Sequence, residues 1–478
     1  MVHDPPVDVP RSSPSAQGVD PAGVAALVDA LEGDERLEPH GLIVQRHGVR
    51  VVEAAWAPHA IDRSRLVYSL SKTFTGTALG LQLGEGRLSL DDLVSDHLPE
   101  LFDDVDERTR RLRIRHLASM ATGHDRETAL EAYALDPDDP VRGFLRIPPD
   151  HEPGTVFAYN QPPVLTLATI LQRLSGQPLS EYLRPRLLDP IGIGELSWVE
   201  LRPGIEMAYS GVYTSLDTVA RLGQLHLDGG TWAGRRILPV TWVAEASKPQ
   251  VANPGEPHPD WQQGYGFQLW MSRHGYRGDG AFGQYMLVLP QHDAVVAIFS
   301  GNEDMQALLD HVWAHLLPAL RPDPVPGGDG EEELAARLTA LRVPTPAGRI
   351  GGVPPGPRSA TFTPGAPGER SHRSITSVAV VDGELVVRED DASFTVALRT
   401  PWTEGRTGHV AASAAQGHDG RLHVDLAFLH TPHRLELVLD ASTGTFTADW
   451  PAVPLFRAGL RYRLSELRPP VRRPSARP

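Results

Sequence analysis

Ser69 and Lys72 are the two residues whose types and spacing best fit a chemical role. They lie three residues apart in YSLSKTFTGTALG, at the start of a predicted helix, so both side chains share one helix face. A serine hydroxyl becomes a good nucleophile when a base takes its proton, and a lysine can be that base when desolvation lowers its pKa. The residues after Lys72 are small or apolar, as is typical of a buried helix. The pattern predicts nucleophilic catalysis by Ser69 with Lys72 as the base.

The S-x-x-K spacing alone is a weak signal, because a serine three residues before a lysine occurs by chance about once in a chain of this length. The scarcity of lysine in this chain makes the signal stronger. The chain has only two lysines, Lys72 and Lys248, among its 45 Lys and Arg residues. Arginine can supply a positive charge, but it cannot be deprotonated and so cannot replace a lysine that acts as a base. The bias therefore favours a chemical role for Lys72 over a structural one.

Composition limits the class of partner. A net charge of -15 argues against nucleic acid and anionic membrane surfaces, which attract basic proteins, so we expect a small neutral or weakly charged substrate. The absence of cysteine excludes disulfides, thiolate metal sites and a cysteine nucleophile. The 20 histidines show no pair with persuasive ligand spacing, so neither a metal nor another cofactor is predicted.

The N-terminus lacks the basic start and apolar run of a secretory signal, and no stretch reaches the length of a membrane span. These two observations predict a cytoplasmic protein. The sequence leaves its oligomeric state open.

The elements that must position Ser69 and Lys72 follow from periodicity. A helix should begin at Asp20-Pro21, and a hairpin should turn at His47-Gly48. Further helices are predicted at about 70–84, 113–121, 163–175, 215–228 and 303–320, and YMLVLP and AVVAIFS should be buried strands. Strands at both ends with helices between them predict an α/β sandwich whose sheet is closed by the N- and C-terminal segments.

The chain length of 478 residues predicts more than one domain. Pro- and Gly-rich stretches follow Leu320, and short alternating runs separated by turn residues follow Ile375, which favours a small antiparallel β-barrel or sandwich. We expect a disordered lead, a catalytic domain, a linker with a short helix, a β domain and a disordered tail, at 1–18, 19–320, 321–370, 371–467 and 468–478.

From about residue 20 to 320 the chain resembles the serine β-lactamase and penicillin-binding-protein superfamily, particularly its class C-like esterase and amidase branch. The resemblance rests on five segments in the family's order: LVYSLSKTFTGTALGLQLGEGRLSLDD, LRIRHLASMATGH, PGTVFAYNQPPVLTLATILQRLSG, SGVYTSLDTVARLGQLHLDGGTWAGRRIL and DGAFGQYMLVLPQHDAVVAIFSGN. It implies a β-lactamase/transpeptidase-like sandwich, with an antiparallel sheet flanked by helices and an all-helical part. It also implies that Ser69 forms an acyl-enzyme and that Lys72 accepts its proton.

The family's second motif, usually Tyr-x-Asn, falls on Tyr159-Asn160-Gln161. The resemblance implies that Tyr159 is a second base and the leaving-group acid. Asn160 stands one residue after the tyrosine instead of two, and Gln161 takes the usual asparagine place, which keeps an amide but lengthens its reach. Without the resemblance, a lone tyrosine after PGTVFA is more often a packed aromatic residue than a catalytic acid.

The third motif, usually Lys or His followed by x-Gly, falls near Gly278-Asp279-Gly280, and no Lys or His occupies its first position. That absence favours neutral esters or amides over β-lactams, although Arg277 is a candidate substitute. The backbone N–H after Gly280, that of Ala281, should join the Ser69 N–H in an oxyanion hole.

Other interpretations compete with this one. GDGAFG also fits a dinucleotide fingerprint, but a strand-like run follows it where a helix is needed. Trp261, Tyr265 and Trp270 could line an acyl pocket or form core. The same site would serve an ester or amide hydrolase, a transacylase, a β-lactamase or a D-aminopeptidase. A non-catalytic binding protein on a disabled hydrolase fold is the alternative of another class, against which the presence of Ser69, Lys72 and Tyr159 argues.

Overall fold

The computed structural model describes residues 8–350, 359–390, 392–399, 401–455 and 459–460. Residues 1–7 and the tail predicted at 468–478 lie outside these ranges. Residues 8–18, predicted to be disordered, pack along an N-terminal strand: Val9 is buried, and the Ser12 N–H donates to the Arg50 carbonyl at 3.1 Å. The Pro-rich composition suggested disorder, whereas apolar burial and backbone pairing hold this part of the lead in place.

A six-stranded antiparallel sheet forms the centre of the first domain, in the order β10-β11-β12-β13-β1-β2. The N-terminal hairpin therefore pairs beside the last strand of the domain, as the sequence predicts, and its turn residues His47 and Gly48 have φ values of 52° and 74°. The strands of this domain are β1 (Pro39–Arg46), β2 (Val49–Ala55), β3 (Arg65–Leu66), β4 (Leu196–Trp198), β5 (Glu200–Arg202), β6 (Ile205–Glu206), β7 (Val212–Thr214), β8 (Thr231–Trp232), β9 (Arg235–Arg236), β10 (Trp270–Met271), β11 (Tyr276–Gly280), β12 (Gln284–Leu289) and β13 (Ala294–Ser300).

Helices cover both faces of this sheet and build a helical part beside it. Alternation along β1 places Ile43 in the core under the helical part and Leu42 and Val44 in the core on the other face. The helices are α1 (Pro21–Gly33), α2 (Ser71–Gly84), α3 (Val94–His97), α4 (Glu107–Arg110), α5 (Ile114–Ala118), α6 (Ala129–Leu135), α7 (Pro140–Leu145), α8 (Gln161–Ser175), α9 (Leu179–Leu183), α10 (Leu216–Leu227), α11 (Val240–Ala246), α12 (Met305–His311), α13 (Leu317–Ala319), α14 (Asp329–Thr339) and α15 (Pro346–Ile350).

Two details of the helices differ from the sequence prediction. The helix predicted at 303–320 is divided by a π-helical turn at Val312–Leu316, just before Pro318. In the predicted linker, α14 is docked on α1 and β2, with Leu334 buried. None of the helices in the described ranges is both long enough and apolar enough to cross a membrane.

The C-terminal part is a nine-stranded, nearly closed, barrel-like sheet in the order β17-β16-β15-β14-β22-β21-β20-β19-β18. Alternate residues of its strands point inward, as the alternating sequence predicts. Its first strand lies inside the stretch predicted as linker. The strands are β14 (Ala360–Pro364), β15 (Ile375–Val381), β16 (Glu384–Glu389), β17 (Ala392–Ala397), β18 (Thr403–Glu404), β19 (Val410–Gln416), β20 (Leu422–Phe428), β21 (Arg434–Asp440) and β22 (Thr445–Asp449).

Candidate active site

The start of α2 carries both residues of the S-x-x-K pattern. Ser69 lies half-buried on a 3₁₀ turn at Tyr68–Leu70, and Lys72 is in the first turn of the helix with only 2% of its surface exposed. The Ser71 hydroxyl fastens this turn, because it donates to the Tyr68 carbonyl at 2.6 Å and accepts from the Val212 N–H at 2.9 Å. The turn that carries Ser69 and the first turn of α2, which carries Lys72, are thus tied to the first residue of β7.

Lys72 is bonded to Ser69. Its Nζ donates to Ser69 Oγ at 3.1 Å, to Gln161 Oε1 at 2.7 Å and to the Tyr209 carbonyl at 2.8 Å. Burial lowers the pKa of Lys72 to about 7, although the negative charges of Glu127 and Asp279 oppose that shift. Near neutral pH a large fraction of Lys72 is therefore uncharged and able to accept a proton.

Tyr159 covers the same pair from another side. The Lys72 Nζ lies 4.7 Å from the centroid of its ring, which also stacks on Trp270 at a centroid distance of 5.2 Å. Burial raises the pKa of Tyr159 above its usual value, and interactions with Ser69 and Trp270 offset only part of that shift. Tyr159 thus places a protonated phenol, a proton donor, next to the Ser69 hydroxyl.

The two amides after Tyr159 have different partners. The buried Asn160 Oδ1 accepts from the Thr128 N–H at 3.1 Å, which fastens the 123–128 loop to the start of α8. Gln161 Oε1 accepts from Lys72, and its Nε2 donates to Glu127 Oε2 at 2.9 Å. Gln161 is thus the amide that reaches the Ser69 and Lys72 pair, whereas Asn160 serves the surrounding loop.

The strand that carries the third motif approaches the Ser69 turn through its glycines. A Cβ atom on Gly280 would overlap the carbonyl oxygen of Val67, and one on Gly278 would lie 2.6 Å from Thr73 Oγ1. Ala281 follows directly and packs with Tyr68. Because both positions are glycine, the backbone before Ala281 can lie against the turn that carries Ser69.

Arg277 does not present a cation to a substrate at this strand. Its side chain has no exposed surface, and its Nε donates to Asp279 Oδ2 at 2.9 Å while its Nη1 donates to Ser272 Oγ at 2.6 Å. Asp279 is buried, and burial raises its pKa. Near the predicted third motif, Arg277 is therefore used internally, and no lysine or histidine occupies residues 277–280.

The aromatic residues considered for an acyl pocket pack mainly against one another. Trp270 contacts Tyr265 at a centroid distance of 5.0 Å and Trp261 at 6.4 Å, and the Arg277 guanidinium lies 4.4 Å from the centroid of the Trp261 ring. Tyr265 and Trp270 are 1% and 5% exposed. They form a core behind Tyr159 and fix the plane of its ring.

The histidines near the helical part have structural contacts. His116 Nδ1 accepts from the Arg113 N–H at 3.2 Å, and His124 hydrogen-bonds Thr122 Oγ1 at 3.0 Å. Across the described ranges, no three His, Asp or Glu side chains are grouped so that they could hold a metal ion.

Three contributors to the site were missed by sequence reasoning. Glu127 meets Gln161, the Tyr209 carbonyl meets Lys72, and His433 meets Tyr68 at 2.5 Å. Glu127 lies just beyond a segment that carries the family resemblance, but no spacing rule marks it. A backbone carbonyl and a histidine 364 residues from Ser69 leave no local signal.

Comparison with known proteins places this chain in a family. A model of the Beta-lactamase family matches residues 24–316. The 6-aminohexanoate-dimer hydrolase of Paenarthrobacter ureafaciens is 26% identical over 314 residues, which cover 59% of this chain and 80% of that protein. Penicillin-binding protein 4 of Amycolatopsis lactamdurans is 26% identical over 336 residues, which cover 62% of this chain and 85% of that protein.

The fold has a solved counterpart. A putative 6-aminohexanoate-dimer hydrolase from Bacillus anthracis aligns with a TM-score of 0.53 and 21% identity, covering 71% of this chain and 90% of that one. At this identity the likeness concerns the fold. The family match spans more than half of the chain and contains Ser69, Lys72 and Tyr159. The chain belongs to the Beta-lactamase family and is a serine hydrolase.

Proposed function

We propose that the enzyme hydrolyses a small ester or amide through an acyl-enzyme on Ser69. The observation that carries the proposal is the buried Lys72 amine, 3.1 Å from Ser69 Oγ and with a pKa near 7. A base that is partly uncharged at working pH, within hydrogen-bond reach of a serine, is what activation of that serine requires.

In the acylation step, uncharged Lys72 takes the Ser69 proton while Ser69 Oγ attacks the substrate carbonyl carbon. The Ser69 and Ala281 N–H groups donate to the oxyanion that forms. The Tyr159 phenol then gives its proton to the leaving alcohol or amine as the acyl bond breaks. Lys72, which lies against the Tyr159 ring, returns the proton it holds to the phenolate.

In deacylation, water replaces Ser69 as the nucleophile and Ser69 Oγ becomes the leaving group. A water molecule gives a proton to uncharged Lys72 and attacks the acyl carbonyl, and Ser69 Oγ leaves with the proton that Lys72 returns. The raised pKa of Tyr159 favours Lys72 over a phenolate as the base of this step.

The charges around Ser69 favour a substrate without a carboxylate beside the scissile bond. The third motif supplies no Lys or His, Arg277 is fully buried, and the nearby charged side chains are Glu127 and Asp279. Neutral activated esters and linear amides are therefore the first substrates to assay. The name of the Paenarthrobacter relative makes the 6-aminohexanoate dimer a reasonable member of that set.

Intact-mass spectrometry tests the proposal directly. The wild type, Ser69→Ala and Lys72→Ala are each incubated with a fluorophosphonate and, separately, with a β-lactam. We expect one fluorophosphonate adduct per wild-type chain, none on Ser69→Ala and greatly slowed labelling of Lys72→Ala. Equal labelling of the wild type and Ser69→Ala, or no ester turnover by a folded, unlabelled wild type, would reject Ser69 as the nucleophile. Fast β-lactam acylation would overturn the preference for neutral substrates.

A further inference from the structure

The C-terminal sheet holds the chain that leads into Ser69. The Leu66 N–H donates to the His430 carbonyl at 2.9 Å, and the His430 ring Nδ1 hydrogen-bonds the Ser64 carbonyl at 2.7 Å. Arg63 Nη1 donates to the Gly408 carbonyl at 2.9 Å. Residues 63–66 are thus fastened by groups that lie more than 300 residues later in the chain.

The contact continues to the residue next to the nucleophile. The Tyr68 hydroxyl hydrogen-bonds His433 Nε2 at 2.5 Å, and Phe282 lies edge-on to both rings, at centroid distances of 5.2 Å from Tyr68 and 4.7 Å from His433. All three side chains are at least 95% buried. Trp450, the residue that follows β22, lies against His433 with ring centroids 6.1 Å apart.

Tyr68 and Phe282 both have left-handed backbone conformations. Their φ values are +49° and +67°, a region that bulky residues rarely adopt and that persists only where the surroundings impose it. Tyr68 immediately precedes Ser69, and Phe282 immediately follows Ala281. The two strained residues therefore flank the two N–H groups of the proposed oxyanion hole, and their side chains meet at His433.

We infer that His433, in the connection between β20 and β21 of the C-terminal sheet, is a positioning residue for the oxyanion hole. Its hydrogen bond to Tyr68 and its contact with Phe282 hold both strained residues, and thereby align the N–H groups of Ser69 and Ala281. The C-terminal part of the chain is then required for the chemical step as well as for stability. This inference rests on the proposed acyl-enzyme at Ser69.

The test compares three variants that alter this contact with one that does not. Tyr68→Phe keeps the ring but removes the hydroxyl, His433→Leu removes the hydrogen-bond partner, and His433→Gln keeps a polar one. Glu404→Gln is the matched control, because it weakens the ion pair of Arg63 with Glu404 at 3.0 Å in the same interface without touching Tyr68. Each full-length variant is assayed for kcat and KM on an activated ester, for the rate of fluorophosphonate labelling and for the midpoint of thermal unfolding.

Misaligned oxyanion donors slow chemistry more than binding. We expect Tyr68→Phe and His433→Leu to lower kcat and the labelling rate roughly 10- to 100-fold with KM within about twofold, since loss of a whole donor costs about 10²–10³. His433→Gln should recover part of this loss. A fourth variant that combines Tyr68→Phe with His433→Leu should be little worse than either single substitution, because both remove the same hydrogen bond. Glu404→Gln should match the wild type in kcat.

A purely structural role for His433 would give a different result. Folded Tyr68→Phe with wild-type kcat and labelling rate, and only a lower unfolding midpoint, would overturn the inference even if His433→Leu failed to fold. A loss confined to KM would overturn it too. Failure of the proposed function is distinguishable, because Ser69→Ala would then label as the wild type does.

Discussion

Ser69 is held from two sides that differ in kind. On the side of α2, Lys72 bonds the hydroxyl, Tyr159 lies beside it and Gln161 bonds Lys72. Burial lowers the pKa of Lys72 and raises that of Tyr159, so both groups favour their uncharged forms. On the side of the C-terminal sheet, Tyr68 meets His433 through aromatic edges and one hydrogen bond. The first side moves protons in the proposed mechanism, and the second sets the geometry of the backbone.

The two sides of Ser69 can be separated by experiment. Changes to the α2 side should alter proton transfer, and so the rate and its dependence on pH. Changes to the His433 side should lower the rate without moving the midpoint of its pH dependence.

Lys72→Arg should give the largest effect. Arginine keeps the positive charge and the hydrogen-bond donors but stays protonated, so the base is lost. We expect kcat on an activated ester to fall at least about 10³-fold, the scale of losing a general base. The control is Lys248→Arg, which changes the second lysine of the chain in an exposed pair with Glu245 at 2.6 Å and should leave kcat unchanged. A Lys72→Arg enzyme within tenfold of the wild type would show that Lys72 is not the base.

Tyr159→Phe should give the next largest effect. It keeps the ring that stacks on Trp270 and removes only the phenolic proton donor. For amides, whose leaving amine must be protonated, we expect kcat to fall roughly 10²-fold. For an activated phenyl ester, whose leaving group departs as an anion, the loss should be much smaller. Equal losses on both substrates would argue that Tyr159 positions groups without donating a proton.

The sequence predicted the α2 side far better than the other. Ser69 and Lys72 share a helix face at a spacing of three, and the hairpin at His47-Gly48 follows from local turn chemistry, so both were visible in short windows. Tyr159 and Gln161 needed the family resemblance, because their partners are brought to them by tertiary packing. The contact of Tyr68 with His433 joins distant parts of the chain, and no periodicity encodes it.

The missed elements have similar causes. Residues 8–18 have the Pro-rich composition of disordered segments, yet Val9 finds a place in the core and Ser12 a backbone partner. The strand β14 lies in a Pro- and Gly-rich stretch and is stabilised by its neighbours β15 and β22. Pairing with a distant strand supplied the free energy that local propensity did not.

The effect of pH on kcat/KM should be smaller than the effects of Lys72→Arg and Tyr159→Phe on kcat, but it tests more directly whether Lys72 is the base. Because the pKa of Lys72 is lowered from 10.5 to about 7, the uncharged base is lost as pH falls through 7. We expect kcat/KM of the wild type to fall tenfold per unit below about pH 7 and to level above it. His433→Gln should have a lower plateau with the same midpoint, since His433 belongs to the other side. A midpoint that moves with this substitution would break the division between the two sides.

Glu127→Gln should give the smallest effect, and its sign is informative. The Glu127 carboxylate raises the pKa of Lys72, so its replacement by a neutral amide should lower that pKa and move the midpoint of kcat/KM to lower pH. Since Glu127 is exposed and its charge is screened, we expect a shift of a few tenths of a pH unit and a gain below about threefold at pH 6. The new amide can still accept from Gln161 Nε2, which preserves the contact. Glu131→Gln, in the exposed pair with Arg126 at 3.1 Å, is the control and should not move the midpoint. An unchanged or raised midpoint in Glu127→Gln would mean that a group other than Lys72 governs the acid limb.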